Sequence, residues 1–438
     1  MSSTFGSFNT VRLGIYAAQK GLDVTGNNIT NINTAGYTRQ RLDQVSLITS
    51  ASDRYYSPYK TRVGQGVLTT GVSQLRDPGL DIAYRNASAD VGAADAKLAG
   101  LEKLASILDE VGKGDGEQDD GVLLNQLNDL RDLINKAITS GLDSTQEGLI
   151  RASAKALCSL FNDAADKLAD MTETWETQLK DQVDTVNNIL TSLRDLNISI
   201  RDADIRGDAA LELRDQRNLL LDQLSQYMDI DVKYEMEDVG AGLMVEKMTV
   251  TLGTGGKDKL VDGGFSAKLL AGSAKDGCPV SQEPNATDPK ILDDNDLYGA
   301  LQSTREMLTE AGEYTIDGTT NDPNAAVKRG IPYYQKALDS LAHEFAAAMN
   351  ELNHIYDDKG NLLAGGNLFS MGSATNDASA ITAANISISQ AWAEDKVSLQ
   401  ASTKPDAPSG DTSNLSKFLA LFDQKIKFDP DHVAGGDA

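Results

Sequence analysis

The stretch Met171–Ile200, MTETWETQLKDQVDTVNNILTSLRDLNISI, decides how this chain is read. Met171, Trp175, Leu179, Val183, Val186, Leu190, Leu193 and Ile200 return at the three- and four-residue spacing of one helix face. The pattern continues outward, from about residue 145 to 205. No proline occurs from Gly79 to Gly277, so nothing forces a break. About 60 residues at 1.5 Å each make a helix of about 90 Å, far longer than an ordinary globular one. At its start, Ser144 with Glu147 three residues on has the pattern of a capping box. At its end, Arg206-Gly207-Asp208 marks a turn.

Further helices follow on both sides. A return helix is predicted over 209–228, through Leu213, Leu220 and Leu224. Upstream, Leu80, Tyr84, Ala87, Val91, Ala94, Leu98, Leu101, Ala105 and Leu108 alternate spacings of four and three, the seam of a coiled coil. Gly112–Glu117 stops that run, and a shorter helix is expected over 121–140. Pro332 sits just inside the start of another helix, with Tyr334, Leu338, Leu341, Phe345, Ala348, Leu352 and Ile355 on one side. Leu98, Leu190 and Leu341 are therefore expected to be buried. Short helices are expected over 298–310 and 412–427.

Residues 229–234 and 244–252 alternate with period two and read as strands, as do short pieces at 45–48, 66–72 and 384–389. Residues 253–298 are rich in Gly and Asp and read as loop, and so does Gly312–Gly330. The expected architecture is mainly α with β-rich insertions, an elongated long-helix bundle with an N-terminal coiled-coil segment. Its consecutive parts are a coiled-coil or assembly helix (1–36), a short β-like linker (37–75), the long-helix bundle (76–228) and a β-rich insertion (229–298). Helices returning to the bundle (299–356) and a second β- and loop-rich region with a short terminal helix (357–438) complete it.

The N-terminal helix has its own seam: Phe8, Val11, Ile15, Ala18, Leu22, Thr25, Ile29 and Ile32. Ala18 and Thr25 are small, and Gly14, Gly21 and Gly26 each cost about 1 kcal/mol relative to Ala. Residues 1–35 are thus expected not to be stably helical alone. Either a partner helix or the core of its own domain covers such a seam. Asn27, Asn28, Asn31 and Asn33 weaken the helical pattern, and Ala35-Gly36 ends it.

Composition narrows the function. The chain has 65 acidic and 40 basic residues, a net charge of −25. Residues 1–75 carry +4 and the rest −29, a basic head on an acidic body. That balance argues against binding nucleic acid or an anionic membrane. No apolar run approaches the ~18 residues of a membrane span, and no secretory signal pattern is visible. Cys158 and Cys278 make no disulfide scaffold, and Cys158 reads as a buried thiol. His343 and His354, on or near the helix that starts at Pro332, lie about 16 Å apart along its axis, too far to share a metal. Asp357–Asn361 and Asp293–Asp296 resemble calcium loops in composition alone, and Gly253–Asp258 lacks the spacing of a phosphate loop. No catalytic, cofactor-binding or metal-binding residues are expected.

The stretch Leu22–Gln40, LDVTGNNITNINTAGYTRQ, resembles the N-terminal signature of bacterial flagellar axial proteins, approximately N-N-[IL]-A-N-x-x-T-x-G-Y-x-R. On that resemblance Asn27, Asn28, Asn31, Thr34, Gly36, Tyr37 and Arg39 form an assembly motif. Thr30 stands where alanine is commonest. Rod, hook and junction proteins share the signature. Leu213–Ser225, LRDQRNLLLDQLS, narrows it, resembling a segment of the hook-associated protein 1 (FlgK) family. Ile331–Tyr334, Leu338–Ala342 and Gly365–Phe369 continue the likeness. The resemblance implies a structural subunit of the hook–filament junction, without catalysis, exported through the flagellar type III apparatus to the extracellular flagellum. It implies contacts with further copies in a ring, the hook protein, a second junction protein on the filament side and an export chaperone, but none with nucleic acid or membrane. The family's C-terminal helix, which pairs with the N-terminal one, finds no counterpart before Ala438, so the seam of residues 8–32 is expected to lack that partner. The competing readings are a hook or distal rod protein, and a hydrolase carried on a flagellar scaffold. The latter needs histidines that residues 253–330 do not contain.

Overall fold

The computed structural model describes residues 4–47, 66–108 and 121–424, apart from 241, 254, 255, 257, 274, 275, 284–289, 293–296, 313–326, 358 and 409. The expected loop Gly112–Glu117, the acidic Asp293–Asp296, most of the loop before Gly330 and residues 425–438 lie outside the described residues. The described residues pack as two compact units. One gathers Met1–Ala94, Asp181–Ala271 and Val280–Gln302; the other gathers Asp95–Lys180, Gly272–Pro279 and Ser303–Ala438. Each draws on several of the consecutive parts read from the sequence.

The first unit begins with α1 (Thr4–Thr30), followed by β1 (Gln40–Ser46) and β2 (Val67–Gln74), an antiparallel hairpin bulged between Asp43 and Gln44. It takes the start of α2 (Pro78–Leu108), the end of α4 (Ser144–Ile205) and all of α5 (Leu211–Tyr227). Strands β3 (Ile230–Asp238), β4 (Met244–Leu252), β5 (Lys259–Asp262) and β6 (Phe265–Ser266) form one antiparallel sheet in that order. Strands β7 (Leu269–Ala271), β8 (Val280–Gln282) and β9 (Lys290–Ile291) form another. Val183, Val186, Leu190, Leu193 and Ile200 of α4 are buried, as the period requires, together with Leu221 and Leu224 of α5 and Val250, Leu252 and Leu260 of the sheet. Asn187 fixes β7 to α4, accepting from Leu269 N at 2.7 Å and donating to Leu269 O at 2.9 Å. Glu246 of β4 bridges Arg214 and Arg217 of α5 at 2.6 Å each, and Arg217 stacks on Tyr234.

The second unit holds the rest of α2, α3 (Val122–Ser140), the first part of α4, most of α6 (Gly299–Thr309) and α7 (Ile331–Leu352). It also holds the paired strands β10 (His354–Tyr356) and β11 (Leu362–Gly365), the pair β12 (Phe369–Met371) and β13 (Ile386–Ile388), α8 (Gln390–Ala393) and α9 (Ser413–Leu421). Leu157, Phe161, Leu168, Met171, Trp175 and Leu179 of α4 are buried there, as are Leu130 and Ile134 of α3 and Phe418 of α9. Phe369 packs edge-on against Phe345 and Trp392. Asn350, buried on α7, accepts from the Leu368 and Phe369 N–H groups and donates to Phe369 O.

Helix α1 runs through Gly14, Gly21 and Gly26 with one face on the hairpin, and its stability remains the expectation stated above. Several expectations are corrected. The α2 seam is not the packed face: Leu80, Tyr84, Val91, Leu98 and Leu101 are exposed. Arg85, Ala89, Gly100 and Leu104 face inward instead. Gly92 approaches so closely that a Cβ would collide with Gln226 O, and a Cβ on Gly100 would sit 2.5 Å from Met307 Cε. Leu341 is half-buried, whereas Leu190 is fully buried. The capping box does not form. Asp143 Oδ1 caps α4 by accepting from Gln146 N at 2.7 Å, and Glu147 is engaged elsewhere. Among the described residues of 253–298 there are five short strands; segments of two to four residues are too short to show an alternating pattern. His354 lies in β10, beyond the end of α7.

Candidate assembly site

The motif Asn27–Arg39 folds as the end of α1 and the turn into β1. Gly36, at φ +76°, makes the chain reversal that other residues resist. Asn28 is the hub. Its Nδ2 donates to Gln40 O at 2.9 Å, and its Oδ1 accepts from Tyr37 Oη and from Gln40 N, both at 2.9 Å. The helix end is thereby tied to the first residue of β1. A second chain of amides runs beside it. Thr34 Oγ1 donates to Asn31 Oδ1, Asn31 Nδ2 to Asn27 Oδ1, Asn27 Nδ2 to Gln40 Oε1, and Gln40 Nε2 to Glu212 Oε1.

The motif therefore ends on α5. Thr38 N–H donates to Asp215 Oδ2 at 3.1 Å. A Cβ on Gly36 would come within 3.1 Å of Leu219 Cβ. Gln74, closing β2, donates to Leu211 O at 2.9 Å. Burial raises the Asp215 carboxyl above its usual range, while Thr38 and Arg76 pull it back in part. The Tyr37 phenol is also raised, by burial and by the charges of Asp215 and Glu212. Arg39 differs from the rest of the motif: its side chain is exposed, and its carbonyl accepts from Leu75 N.

The seam lies on the opposite side of α1. Phe8, Val11, Ile15, Leu22, Ile29 and Ile32 are 59–77% exposed, with Ala18 and Thr25 exposed between them. Leu13, Ala17, Val24 and Asn28 make the covered face, and Gly66 lets Thr10 and Leu13 come close. The sequence holds two helical stripes here, and the one with the larger apolar residues is the uncovered one. Sequence reading missed Gln40, Gln74, Glu212, Asp215 and Leu219 as partners of the motif. Their signal was the likeness of Leu213–Ser225 to a family segment, which did not say what that segment touches.

Among the described residues no group of three or more His, Cys, Asp or Glu could hold a metal ion, and no helix is long and apolar enough to cross a membrane. Cys158 and Cys278 are buried free thiols. His343 Nδ1 lies 3.2 Å from Ile381 O, a packing role.

Residues 116–369, more than half of the chain, match the model of the flagellar hook-associated protein FlgK helical domain. The chain belongs to the FlgK family. Residues 9–38, which take in most of α1 and the motif up to Thr38, match the flagella basal body rod protein model. Flagellar hook-associated protein 1 of Bacillus subtilis is 28% identical over 366 residues, covering 81% of this chain and 68% of that protein. The protein of the same name from Escherichia coli is 23% identical over 367 residues, covering 83% of this chain and 60% of that protein. The Salmonella typhimurium protein is 24% identical over 370 residues, with 83% and 59% covered. The chain thus spans about three-fifths to two-thirds of the length of these relatives. The flagellar hook junction protein FlgK of Burkholderia pseudomallei is similar in structure over 66% of this chain and 46% of that one, with 20% identity and a TM-score of 0.47. FlgK proteins are structural components of the flagellum. In this member of the FlgK family, α5 is the element on which the axial-protein signature rests.

Proposed function

We propose that the chain is a structural subunit of the junction between the flagellar hook and filament, needed for flagellum assembly and without catalysis. The observation that carries this is the FlgK match over residues 116–369 together with an exposed heptad seam along α1 that, from Val11 to Ile32, falls inside the rod-protein match. A seam that stays open on a folded chain is an assembly surface: monomeric proteins rarely expose so large an apolar patch. In this reading Phe8, Val11, Ile15, Ala18, Leu22, Thr25, Ile29 and Ile32 are covered in the assembled structure by other helices of the junction. The motif residues hold α1 in position, and Arg39 faces neighbouring subunits. Partners are further copies in a ring, the hook protein, a second junction protein toward the filament and an export chaperone. The protein reaches the cell exterior through the flagellar type III apparatus.

Deletion of the gene in the source bacterium tests this. Cells should keep hooks but lose filaments, and a full-length copy should restore them. Electron cryomicroscopy should then place the restored protein at the hook tip. Normal filaments in the deletion strain would overturn the proposal.

A further inference from the structure

Helix α5 has two faces. Leu221 and Leu224 turn into the core, with Arg217 beside them. On another line, Glu212, Asp215, Leu219 and Asp222 recur at spacings of three, four and three, one stripe of a helix. Every member of that stripe meets the N-terminal part of the chain. Glu212 accepts from Gln40 at 3.2 Å and Asp215 from Thr38 N at 3.1 Å. Leu219 lies under Gly36. Asp222 takes Arg85 at 2.9 Å and Arg76 at 3.6 Å, and Arg76 also holds Asp81 at 2.6 Å.

The joint is unlike a core. Helix α1 lies on β1 and β2, and this module reaches α5 through polar, directional bonds and a close approach of Gly36 to Leu219. Polar contacts of this kind fix register and orientation more than they add affinity. Asp215 is the most demanding member. It is 6% exposed, its Oδ2 is used by Thr38, and its buried Oδ1 has no hydrogen-bond partner among the described residues. Such a carboxylate tolerates one pose of the turn and penalises others, because displacing Thr38 leaves a buried charge with fewer partners still.

We propose that the Glu212–Asp215–Leu219–Asp222 face of α5 is the seat that sets the angle at which α1 leaves the rest of its unit, with Asp215 as the positioning residue. The inference deepens the assembly reading above and rests on it for its purpose: subunits of one ring must present their α1 seams in one direction. Seat and signature then act as two halves of one device, although the sequence separates Thr38 from Asp215 by 177 positions.

The test is a distance measurement on the purified full chain, with spin labels at Gln19→Cys on α1 and Asp184→Cys on α4, both exposed sites in the first unit. The native thiols are buried and remain unlabelled. The unmodified seat should give one narrow distance. Asp215→Ala should broaden it, while Asp215→Asn, which keeps an acceptor for Thr38 N–H, should restore it; a merely structural loss would not separate these two variants. Gln40→Ala combined with Gln74→Ala cuts the other two bonds without altering α5 and should broaden it as well. An unchanged narrow distance in Asp215→Ala overturns the proposal. If Asp215→Ala does not fold, an unchanged distance in the double glutamine variant overturns it instead. Because no flagellum is involved, this outcome is independent of whether cells use the protein at the junction.

Discussion

The indole Nε1–H of Trp392 donates to Glu147 Oε1 at 3.2 Å, joining residues 245 positions apart. The same oxygen accepts from Leu399 N at 3.0 Å. Trp392 is fully buried, so its donor has no water to turn to. Glu147→Ala should therefore destabilise the second unit by about 1–3 kcal/mol for each orphaned donor. Glu147→Gln keeps one acceptor oxygen and should cost less. Urea unfolding followed by tryptophan fluorescence checks both; equal stability of Glu147→Ala and wild type would show that the contact is not formed.

The two faces of α2 make opposite predictions. Leu98 is 55% exposed, so Leu98→Glu should change stability by no more than about 0.5 kcal/mol, the range of surface sites. Leu190 on α4 is fully buried, and Leu190→Glu should cost about 3 kcal/mol or more. Gly92→Ala, ordinarily favourable in a helix, should destabilise instead, because its Cβ meets the Gln226 carbonyl. Thermal melts of the three variants measure the order. A Gly92→Ala protein more stable than wild type would refute the close approach.

These contrasts show what the sequence could reveal. The long period through Met171–Ile200 located α4 and its buried residues, because burial on a continuous helix repeats every three or four positions. The same rule misassigned α2, most of whose larger apolar residues sit on the open face while Arg85, Ala89, Gly100 and Leu104 are covered. Periodicity reports which stripe is apolar but not which stripe is covered. The axial signature was legible as a motif, but its seat was not. Hydrogen bonds from Thr38 to Asp215 and from Gln40 to Glu212 join residues whose pairing has no local signal, and carboxylates in a helix's first turns look like ordinary complements to its dipole.

Acid should weaken the first unit through Glu246. Burial by itself would raise this carboxyl, but Arg217 and Arg214 more than offset it, and its pKa lies below the usual glutamate value. A depressed folded-state pKa stabilises the fold above the unfolded value, and that contribution is lost as pH falls through the folded one. Stability should thus be steady near neutrality and decline below about pH 5, where unfolded glutamates begin to protonate. Glu246→Gln should be less stable at neutral pH and show a shallower acid dependence. Denaturant midpoints across a pH series test this; parallel curves for the two proteins would contradict it.

Neither cysteine should react in the folded protein. Burial pushes the Cys158 thiol up to about 12, and burial, with Glu176 nearby, also raises that of Cys278. The thiolate is the reactive form. Ellman titration at pH 8 should find almost no accessible thiol in the native chain and both in denaturant. Rapid labelling without denaturant would mean that the units open readily around these residues.

From sequence, Asn28, Gly36 and Arg39 look alike, as three matches to one assembly signature. The structure divides them. Asn28 makes three hydrogen bonds that tie α1 to Tyr37 and Gln40, and Asn28→Ala should lose about 1 kcal/mol for each. Gly36→Ala adds a left-handed strain of about 1–2 kcal/mol to a crowded contact with Leu219. Both should speed hydrogen exchange across the turn and β1, and both should impair assembly by misplacing α1. Arg39 is exposed, and Arg39→Glu should leave melting and exchange unchanged. If Arg39 faces a neighbouring subunit as proposed, the variant should nonetheless reduce filament number on cells, because an inverted charge there would repel rather than steer. Counting filaments on strains carrying each variant in the full-length protein separates the roles. Normal filaments with Arg39→Glu would leave the motif as a folding element alone. Lost filaments, with the purified protein intact, would make Arg39 the part of the signature that meets the neighbouring subunit.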